Sequence, residues 1–182
     1  MILLSGFKKF GKMPENRSEI MILKLPNHIN GEKIEKLILP VSWKRSILIY
    51  TEFLNNLVEL PKVVILLGIH SGKKIHIERY SWNFKFGIDV DNSFNCGFIE
   101  FGNNLRIKSA IDLKKIKSRR SHLKDIKISN FPGSYLCNYV YFHALRISMK
   151  HYPVIFVHLP HKNGLDNVYY ILLDLITEIL NI

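Results

Sequence analysis

A chain of 182 residues, 47% of them hydrophobic and with a mean hydropathy of +0.05, can fill one core and is too short for two comfortable domains. No apolar run reaches membrane-spanning length without charged residues, which argues against a membrane protein. The formal net charge of +11 raises the hypothesis of a nucleic-acid or other anionic partner.

The first half of the chain alternates apolar runs with segments of helical apolar spacing. The run before Gly68 is continuous, which is typical of a strand buried on both faces. The predicted elements are a strand from Ile2 to Gly6, a helix capped by Ser18 that ends near Pro26, a strand from Glu32 to Pro40, a helix from Trp43 to Leu60, and strands from Val63 to Leu67 and from Ile75 to about Phe86.

The second half begins with a segment that has no regular apolar period, and it then returns to alternating helices and strands. Asp89 to Asn104 has no clear period and is predicted to be a loop, and Leu105 to Lys127 is basic and partly helical. A helix from Tyr135 to Ser148, a strand from Val154 to His158 and a final helix from Leu165 to Leu180 follow. Alternating strands and helices predict a single-domain α/β/α sandwich, with a mostly parallel central sheet flanked by helices.

Cys137 falls in the first turn of a predicted helix. Ser134 suits the N-cap, and Leu136 and Val140 begin the apolar face. Free backbone N–H groups and the positive end of the helix dipole favour a thiolate there, so Cys137 is a candidate nucleophile. The alternative is a small buried apolar residue, which is the commoner fate of a free cysteine. This segment alone favours neither interpretation.

The positive charge is densest between Arg106 and Lys127. No zinc-finger spacing, RNA-recognition signature or regular aromatic interleaving accompanies it. Isoleucine, lysine and asparagine are abundant throughout, so compositional drift explains the charge without a function. Positive charge without a nucleic-acid recognition motif is weak evidence for nucleic-acid binding, so we do not expect a nucleic-acid partner.

Three residues at or near predicted strand and helix ends could act together: Glu78, Cys137 and His158. A thiol, an imidazole and a carboxylate form a working set for nucleophilic acyl transfer. Taken singly, Glu78 is better explained by pairing with Arg79 or a surface lysine, and His158 by a hydrogen-bonded core histidine. His158 and His161 without clear further ligands are weak evidence for a metal site, so no metal is expected. The sequence does not suggest an organic cofactor either.

Nearly the whole chain resembles the pyroglutamyl peptidase I family, also called the pyrrolidone-carboxylate peptidases. Five short blocks arrive in the family's order, and together they make chance a poor explanation. The blocks are Leu4-Ser-Gly-Phe-Lys-Lys-Phe-Gly11, Asn16-Arg-Ser18, Val64-Ile-Leu-Leu-Gly68 with Ser71-Gly72, Ile77-Glu-Arg79 and Asn83, the nucleophile motif from Ser129 to Asn138, and Val157-His-Leu-Pro160.

The resemblance implies a cysteine exopeptidase that removes an N-terminal pyroglutamyl residue from peptides. It implies that Cys137 is the nucleophile, that His158 is the general base and then the acid, and that Glu78 orients the imidazole. It further implies a homotetramer. In the substrate pocket it implies apolar walls for the pyroglutamyl ring from Phe7 and Phe10, with Tyr135 and Leu136 nearby.

The recognition residues depart from the family's pattern. Ile69 stands where the family often has a glutamine or a leucine, and the glutamine, where it occurs, helps to bind the lactam. Ile88 stands at the position of a usual arginine. The segment between Asn92 and Ser129 matches poorly and looks shortened. These departures leave a second hypothesis, a non-catalytic family member that acts as a binding or structural protein. Retention of all three candidate catalytic residues favours activity.

The cellular location is expected to be cytoplasmic. The sequence begins directly with a strand-like apolar run and lacks the basic head and cleavage site of a signal peptide. Its two cysteines, Cys96 and Cys137, do not suggest a disulfide framework, and a nucleophilic Cys137 needs to stay reduced.

Overall fold

Strands and helices alternate along the chain in the computed structural model, which describes residues 1–11, 14–119, 125–149, 151–161 and 164–181. The helices are α1 (Arg17–Lys24), α2 (Trp43–Asn55), α3 (Leu113–Arg119), α4 (Leu136–Ser148) and α5 (Leu165–Leu180). The strands are β1 (Ile2–Phe7), β2 (His28–Ile29), β3 (Glu32–Leu39), β4 (Val63–His70), β5 (Ile75–Glu78), β6 (Tyr80–Trp82), β7 (Lys85–Ile88), β8 (Phe94–Gly97), β9 (Arg106–Lys108), β10 (Ile126–Ser129) and β11 (Val154–Pro160).

A seven-stranded sheet in the order β10-β5-β11-β4-β1-β3-β2 forms the centre of the fold. Its four middle strands β11, β4, β1 and β3 are parallel to one another. Strand β5 runs antiparallel to β11 and parallel to β10, and β2 is antiparallel to β3 at the other edge. The predicted α/β architecture with a mostly parallel sheet is therefore confirmed.

Each face of the sheet is covered by helices because successive side chains of a strand point to opposite sides. In β4, Ile65 packs into the cluster that contains residues of α1 and α5. Its neighbour Leu66 packs on the other side, with residues of α2 and α4. The predicted bounds of α5 are confirmed, and in the part of the chain that the structure describes no helix is long and apolar enough to cross a membrane.

The single strand predicted from Ile75 to about Phe86 is wrong: three short strands occupy this segment. The chain leaves the central sheet at Arg79, whose N–H donates to Ser129 O at 2.7 Å and whose carbonyl accepts from Ser109 N at 3.0 Å. Strand β6 then pairs with β9 instead. The loop predicted for Asp89 to Asn104 contains β8, which forms a hairpin with β7. Glycine and asparagine obscure the two-residue period of that hairpin.

Two predicted helix caps are also wrong. Helix α1 is capped by Asn16, which accepts Ser18 N at 3.0 Å. Ser18 lies inside the helix, buried, where its hydroxyl accepts Phe7 N at 3.0 Å. Helix α4 has Tyr135 as its N-cap, without a side-chain capping bond, since Ser134 stays outside and its carbonyl accepts the N–H of Phe86.

Other boundaries shift because of distant partners. Strand β4 extends to His70, three residues beyond its predicted end, because β11 pairs with it as far as Pro160. Helix α2 ends at Asn55, and Val58 beyond it is fully exposed. The basic segment from Arg106 to Lys127 contains β9, α3 and the start of β10, and its residues 120–124 lie outside the described residues.

Candidate active site

A cavity of about 400 Å³ opens where the parallel strands β1, β4 and β11 end. This is the edge at which open α/β sheets usually bind ligands. Apolar side chains line the half nearer β1 and β3, and titratable side chains line the half nearer β11 and β5. The lining residues are Phe7, Phe10, Asn16, Val41, Ile69, His70, His76, Glu78, Phe131, Pro132, Gly133, Tyr135, Leu136, Cys137 and His158.

Glu78 and His158 form a buried pair across the antiparallel strands β5 and β11. His158 Nδ1–H donates to Glu78 Oε1 at 2.8 Å, and the two residues are 5% and 1% exposed. The Tyr141 hydroxyl donates to the backbone carbonyl of Glu78 at 3.0 Å. Because Nδ1 is committed to the carboxylate, Nε2 is the ring nitrogen left for other chemistry.

Cys137 is the second residue of α4, and its sulfur lies against the backbone of β4. A Cβ added to Gly68 would stand 2.8 Å from Cys137 Sγ and 2.8 Å from the ring of Phe156. Gly68 pairs with His158 on the neighbouring strand. The missing side chain at Gly68 therefore leaves room for the sulfur beside this strand pair, close enough to raise the pKa of the His158 ring.

His158 is held in its charged form. Burial lowers the pKa of its ring, but the neighbouring Cys137 and the Glu78 carboxylate outweigh burial and raise the pKa to about 9. At neutral pH the ring is therefore an imidazolium, stabilised by the carboxylate on one side and by the sulfur on the other. An imidazolium beside a cysteine sulfur is the arrangement that cysteine nucleophiles use.

The start of α4 offers donors to a developing negative charge. The first backbone N–H groups of a helix have no partner within the helix, and α4 has no side-chain cap. The N–H groups of Leu136, Cys137 and Asn138 lie in this first turn, next to the sulfur. They can stabilise an oxyanion that forms when the sulfur attacks a carbonyl group.

Comparison with known proteins assigns the family. Residues 1–163 match the family model for pyroglutamyl peptidase. The chain belongs to the pyroglutamyl peptidase family. A pyrrolidone-carboxylate peptidase of Thermococcus kodakarensis is 31% identical over 180 residues, covering 91% of this chain and 84% of the relative. One of Thermosipho melanesiensis is 29% identical over 172 residues, covering 90% and 84%.

Solved structures of the family share the fold of this protein. The pyrrolidone carboxyl peptidase of Thermococcus litoralis superposes with a TM-score of 0.90 at 24% identity, covering 99% of this chain and 93% of that chain. The enzyme of Thermus thermophilus gives a TM-score of 0.86, covering 99% and 98%. The whole described chain thus has the architecture of a pyroglutamyl peptidase.

The four residues predicted for the substrate pocket all line the cavity. Phe7 is buried and anchored by Ser18, while Phe10 and Tyr135 are partly buried with ring centroids 6.3 Å apart. The Tyr135 hydroxyl donates to Ile88 O at 2.7 Å, which fixes its ring at the cavity wall. Leu136 is buried behind these aromatic rings.

The two departures from the family pattern have different consequences. Ile69 lines the cavity and presents a hydrocarbon side chain there. Ile88 is 59% exposed and lies outside the set of lining residues; it contributes only the carbonyl that accepts Tyr135. Phe131 and Pro132, in the nucleophile motif, both line the cavity. The change at Ile69 therefore alters the cavity directly, whereas Ile88 acts through Tyr135.

Asn138 anchors the start of α4, and the sequence analysis assigned it no role. Its buried side-chain amide makes four hydrogen bonds, accepting from Ser81 Oγ and Trp82 N and donating to Trp82 O and Phe84 O. These bonds tie the residue after Cys137 to the segment that follows Glu78. The asparagine of the family's Cys-Asn motif was the signal that could have revealed this anchor.

We expect Gly68→Ala to displace the Cys137 sulfur, because the new methyl group would meet it at 2.8 Å. A displacement of about 1 Å at a reacting atom costs on the order of 10²-fold in rate. The measurements are turnover of a pyroglutamyl amide and the rate at which iodoacetamide modifies Cys137, with the exposed Cys96 as internal reference.

Gly164→Ala is the matched control, because a Cβ at Gly164 meets nothing within 4 Å. Unchanged turnover and unchanged Cys137 alkylation in Gly68→Ala would contradict the close approach of Cys137 to β4.

Proposed function

We propose that the protein is a cysteine peptidase that hydrolyses the amide bond after the N-terminal pyroglutamyl residue of peptides. The observation that carries this proposal is the alignment of Glu78, His158 and Cys137 beside an aromatic-walled cavity. Membership of the pyroglutamyl peptidase family supports the substrate class, as do relatives named pyrrolidone-carboxylate peptidases.

The reaction begins with attack of the Cys137 thiolate on the pyroglutamyl carbonyl carbon. The N–H groups of the first turn of α4 stabilise the resulting oxyanion. His158 then gives its Nε2 proton to the departing amine, which leaves a thioester on Cys137. A water molecule, deprotonated by the now neutral His158, attacks the thioester, releases pyroglutamate and restores the thiolate. Glu78 keeps the ring oriented and stabilises its positive charge.

The pyroglutamyl ring is recognised mainly by shape and apolar contact. The lactam is small, flat and uncharged, so Phe7, Phe10 and Tyr135 suit it as walls. Ile69 cannot hydrogen-bond the lactam, so backbone groups must do so. A missing neutral hydrogen bond is worth about 0.5–1.5 kcal/mol, which weakens recognition about tenfold or less without abolishing it.

Cys137→Ser and His158→Ala should each remove nearly all turnover, because they remove the nucleophile and the proton carrier. Glu78→Gln should retain more, since it affects only the orientation and charge of the ring. The measurement is release of a chromophore from a pyroglutamyl amide, beside the matching prolyl and glutaminyl amides.

A normal rate in His158→Ala would rule out the triad. Absence of turnover in the unmodified protein, with intact folding by circular dichroism, would favour the non-catalytic hypothesis instead.

The pH dependence of kcat/KM should reflect the ionisation of His158. Its raised pKa, about 9, means that the ring holds a transferable proton up to that pH and loses it above, so kcat/KM should fall on the basic side near pH 9. Glu78→Gln removes one cause of the raised pKa, so the basic limb should move to lower pH. Glu59→Gln, which alters an exposed carboxylate, is the control. A basic limb that stays in place in Glu78→Gln would contradict this role of the carboxylate.

We also propose that the protein assembles into a homo-oligomer, a tetramer by family resemblance. Apolar side chains exposed on and beside the β7–β8 hairpin support the proposal: Phe86 at 51%, Phe94 at 60% and Phe101 at 86%. Patches of this kind commonly mark interaction surfaces.

Sedimentation velocity should show an assembly of 21.3 kDa chains that the double change Phe86→Glu, Phe94→Glu dissociates. Leu48→Glu, on α2, should leave it intact, and a monomeric unmodified protein would refute the proposal.

A cytoplasmic location is the last part of the proposal. Cys96 and Cys137 are both free, and the thiolate chemistry of Cys137 requires a reducing compartment. Fractionation of cells would test it, since recovery of the protein with an oxidising, extracytoplasmic fraction would contradict this location.

A further inference from the structure

A straight line of residues crosses four neighbouring strands through the active site. Lys127 on β10 pairs with His76 on β5, His76 pairs with His158 on β11, and His158 pairs with Gly68 on β4. Paired residues of neighbouring strands point to the same face of a sheet, at a spacing of about 4.8 Å. Lys127 and His76 therefore continue the line on the side of His158 that faces away from Gly68.

The polarity of the cavity determines where each part of a peptide lies. The apolar half, with Phe7 and Phe10, lies on the β1 side of Cys137, and it is the half that suits the pyroglutamyl ring. The scissile carbonyl must lie at Cys137, with the departing nitrogen near His158. The rest of the peptide then continues over β5, where His76 lines the cavity, towards β10.

The side chain of His76 is polar and neutral where this part of the peptide would lie. Its ring lies 4.0 Å from that of His70, measured between centroids. His70 is itself fixed, because its Nδ1 accepts Gly72 N at 3.2 Å and its Nε2–H donates to Lys74 O at 2.7 Å. Burial and the neighbouring His70 lower the pKa of His76 to about 4. A neutral His76 can hydrogen-bond a peptide without adding charge beside the imidazolium of His158.

Lys127 ends the line as an exposed cation. Two strand spacings place its backbone about 10 Å from that of His158. An extended peptide advances about 3.4 Å per residue, so Lys127 can reach a carboxylate on the second residue after the scissile bond. Lys73 and Lys74 in the loop before β5 are also basic, while Asp125 is the acidic residue next to β10. The local balance of charge therefore favours an anion.

We propose that His76 and Lys127 form a track for the leaving peptide and that the track selects substrates with a carboxylate on the second residue after the pyroglutamyl bond. This carboxylate is either an acidic side chain or the free C-terminus of a short peptide. The inference rests on the proposed peptidase function and specifies the substrate class of the same site.

The experiment compares four peptides of the form pyroglutamyl-alanyl-X, with X as glutamate amide, glutamine amide, lysine amide or glutamine with a free carboxyl end. An exposed ion pair changes binding only a few-fold. The glutamate amide and the free acid should therefore each exceed the glutamine amide in kcat/KM by about two- to fivefold at low salt, with lysine amide the poorest. Added salt should remove the preference.

Charge reversal gives the sharpest readout. Lys127→Glu should turn the order around, so that the lysine amide becomes the best substrate, whereas Lys114→Gln, which alters an exposed lysine on α3, should keep the original order. Equal kcat/KM for the glutamine amide, the glutamate amide and the free acid, or an unchanged order in Lys127→Glu, would overturn the track. Preference for only one of the two carboxylate sources identifies which of them the track recognises and supports it.

A pyroglutamyl coumarylamide, which has no second residue, separates this inference from the proposed function. Cleavage of that amide without any preference among the peptides refutes the track and leaves the peptidase function standing. If the coumarylamide is not cleaved, binding of the same four peptides to Cys137→Ser by calorimetry tests the track independently, and the same order of affinities is expected.

Discussion

The hydrogen bond between His158 and Glu78 is the interaction on which the site depends. It joins β11 to β5, the point where the sheet changes from parallel to antiparallel pairing. Removing two charged groups from water is costly unless they are paired. Here the carboxylate and the imidazolium compensate one another. The carboxylate and the adjacent sulfur keep the ring protonated, as the proposed mechanism requires.

Two features place Cys137, the proposed nucleophile, against this pair. Gly68 lets the sulfur of Cys137 approach the sheet, and Asn138 binds the first turn of α4 to the segment that leaves β5 after Glu78. Helix and sheet are thereby held together by contacts on both sides of Cys137. The start of α4 has no side-chain cap, which leaves backbone donors beside the sulfur for the proposed oxyanion.

The proposed catalytic pair and the cavity walls lie in different environments. Glu78 and His158 are buried and held by strand register. The cavity walls tolerate more variation, because an apolar ring can be enclosed by many combinations of side chains. Ile69 presents a hydrocarbon side chain in the wall, and His76 lines the cavity beyond the proposed catalytic pair.

The sequence alone determined the elements whose signals are local. The continuous apolar runs of β4 and β11, the helical period of α5 and the position of Cys137 in the first turn of α4 all follow from neighbouring residues. The five motif blocks also led to the family, and with it to the candidate triad. Only the tertiary structure decided the strand register, which sets Gly68, His158, His76 and Lys127 in one line although they are far apart in the chain. Local pattern fixes which face of a strand is buried, whereas register depends on long-range packing across the whole sheet, which no short segment of sequence encodes.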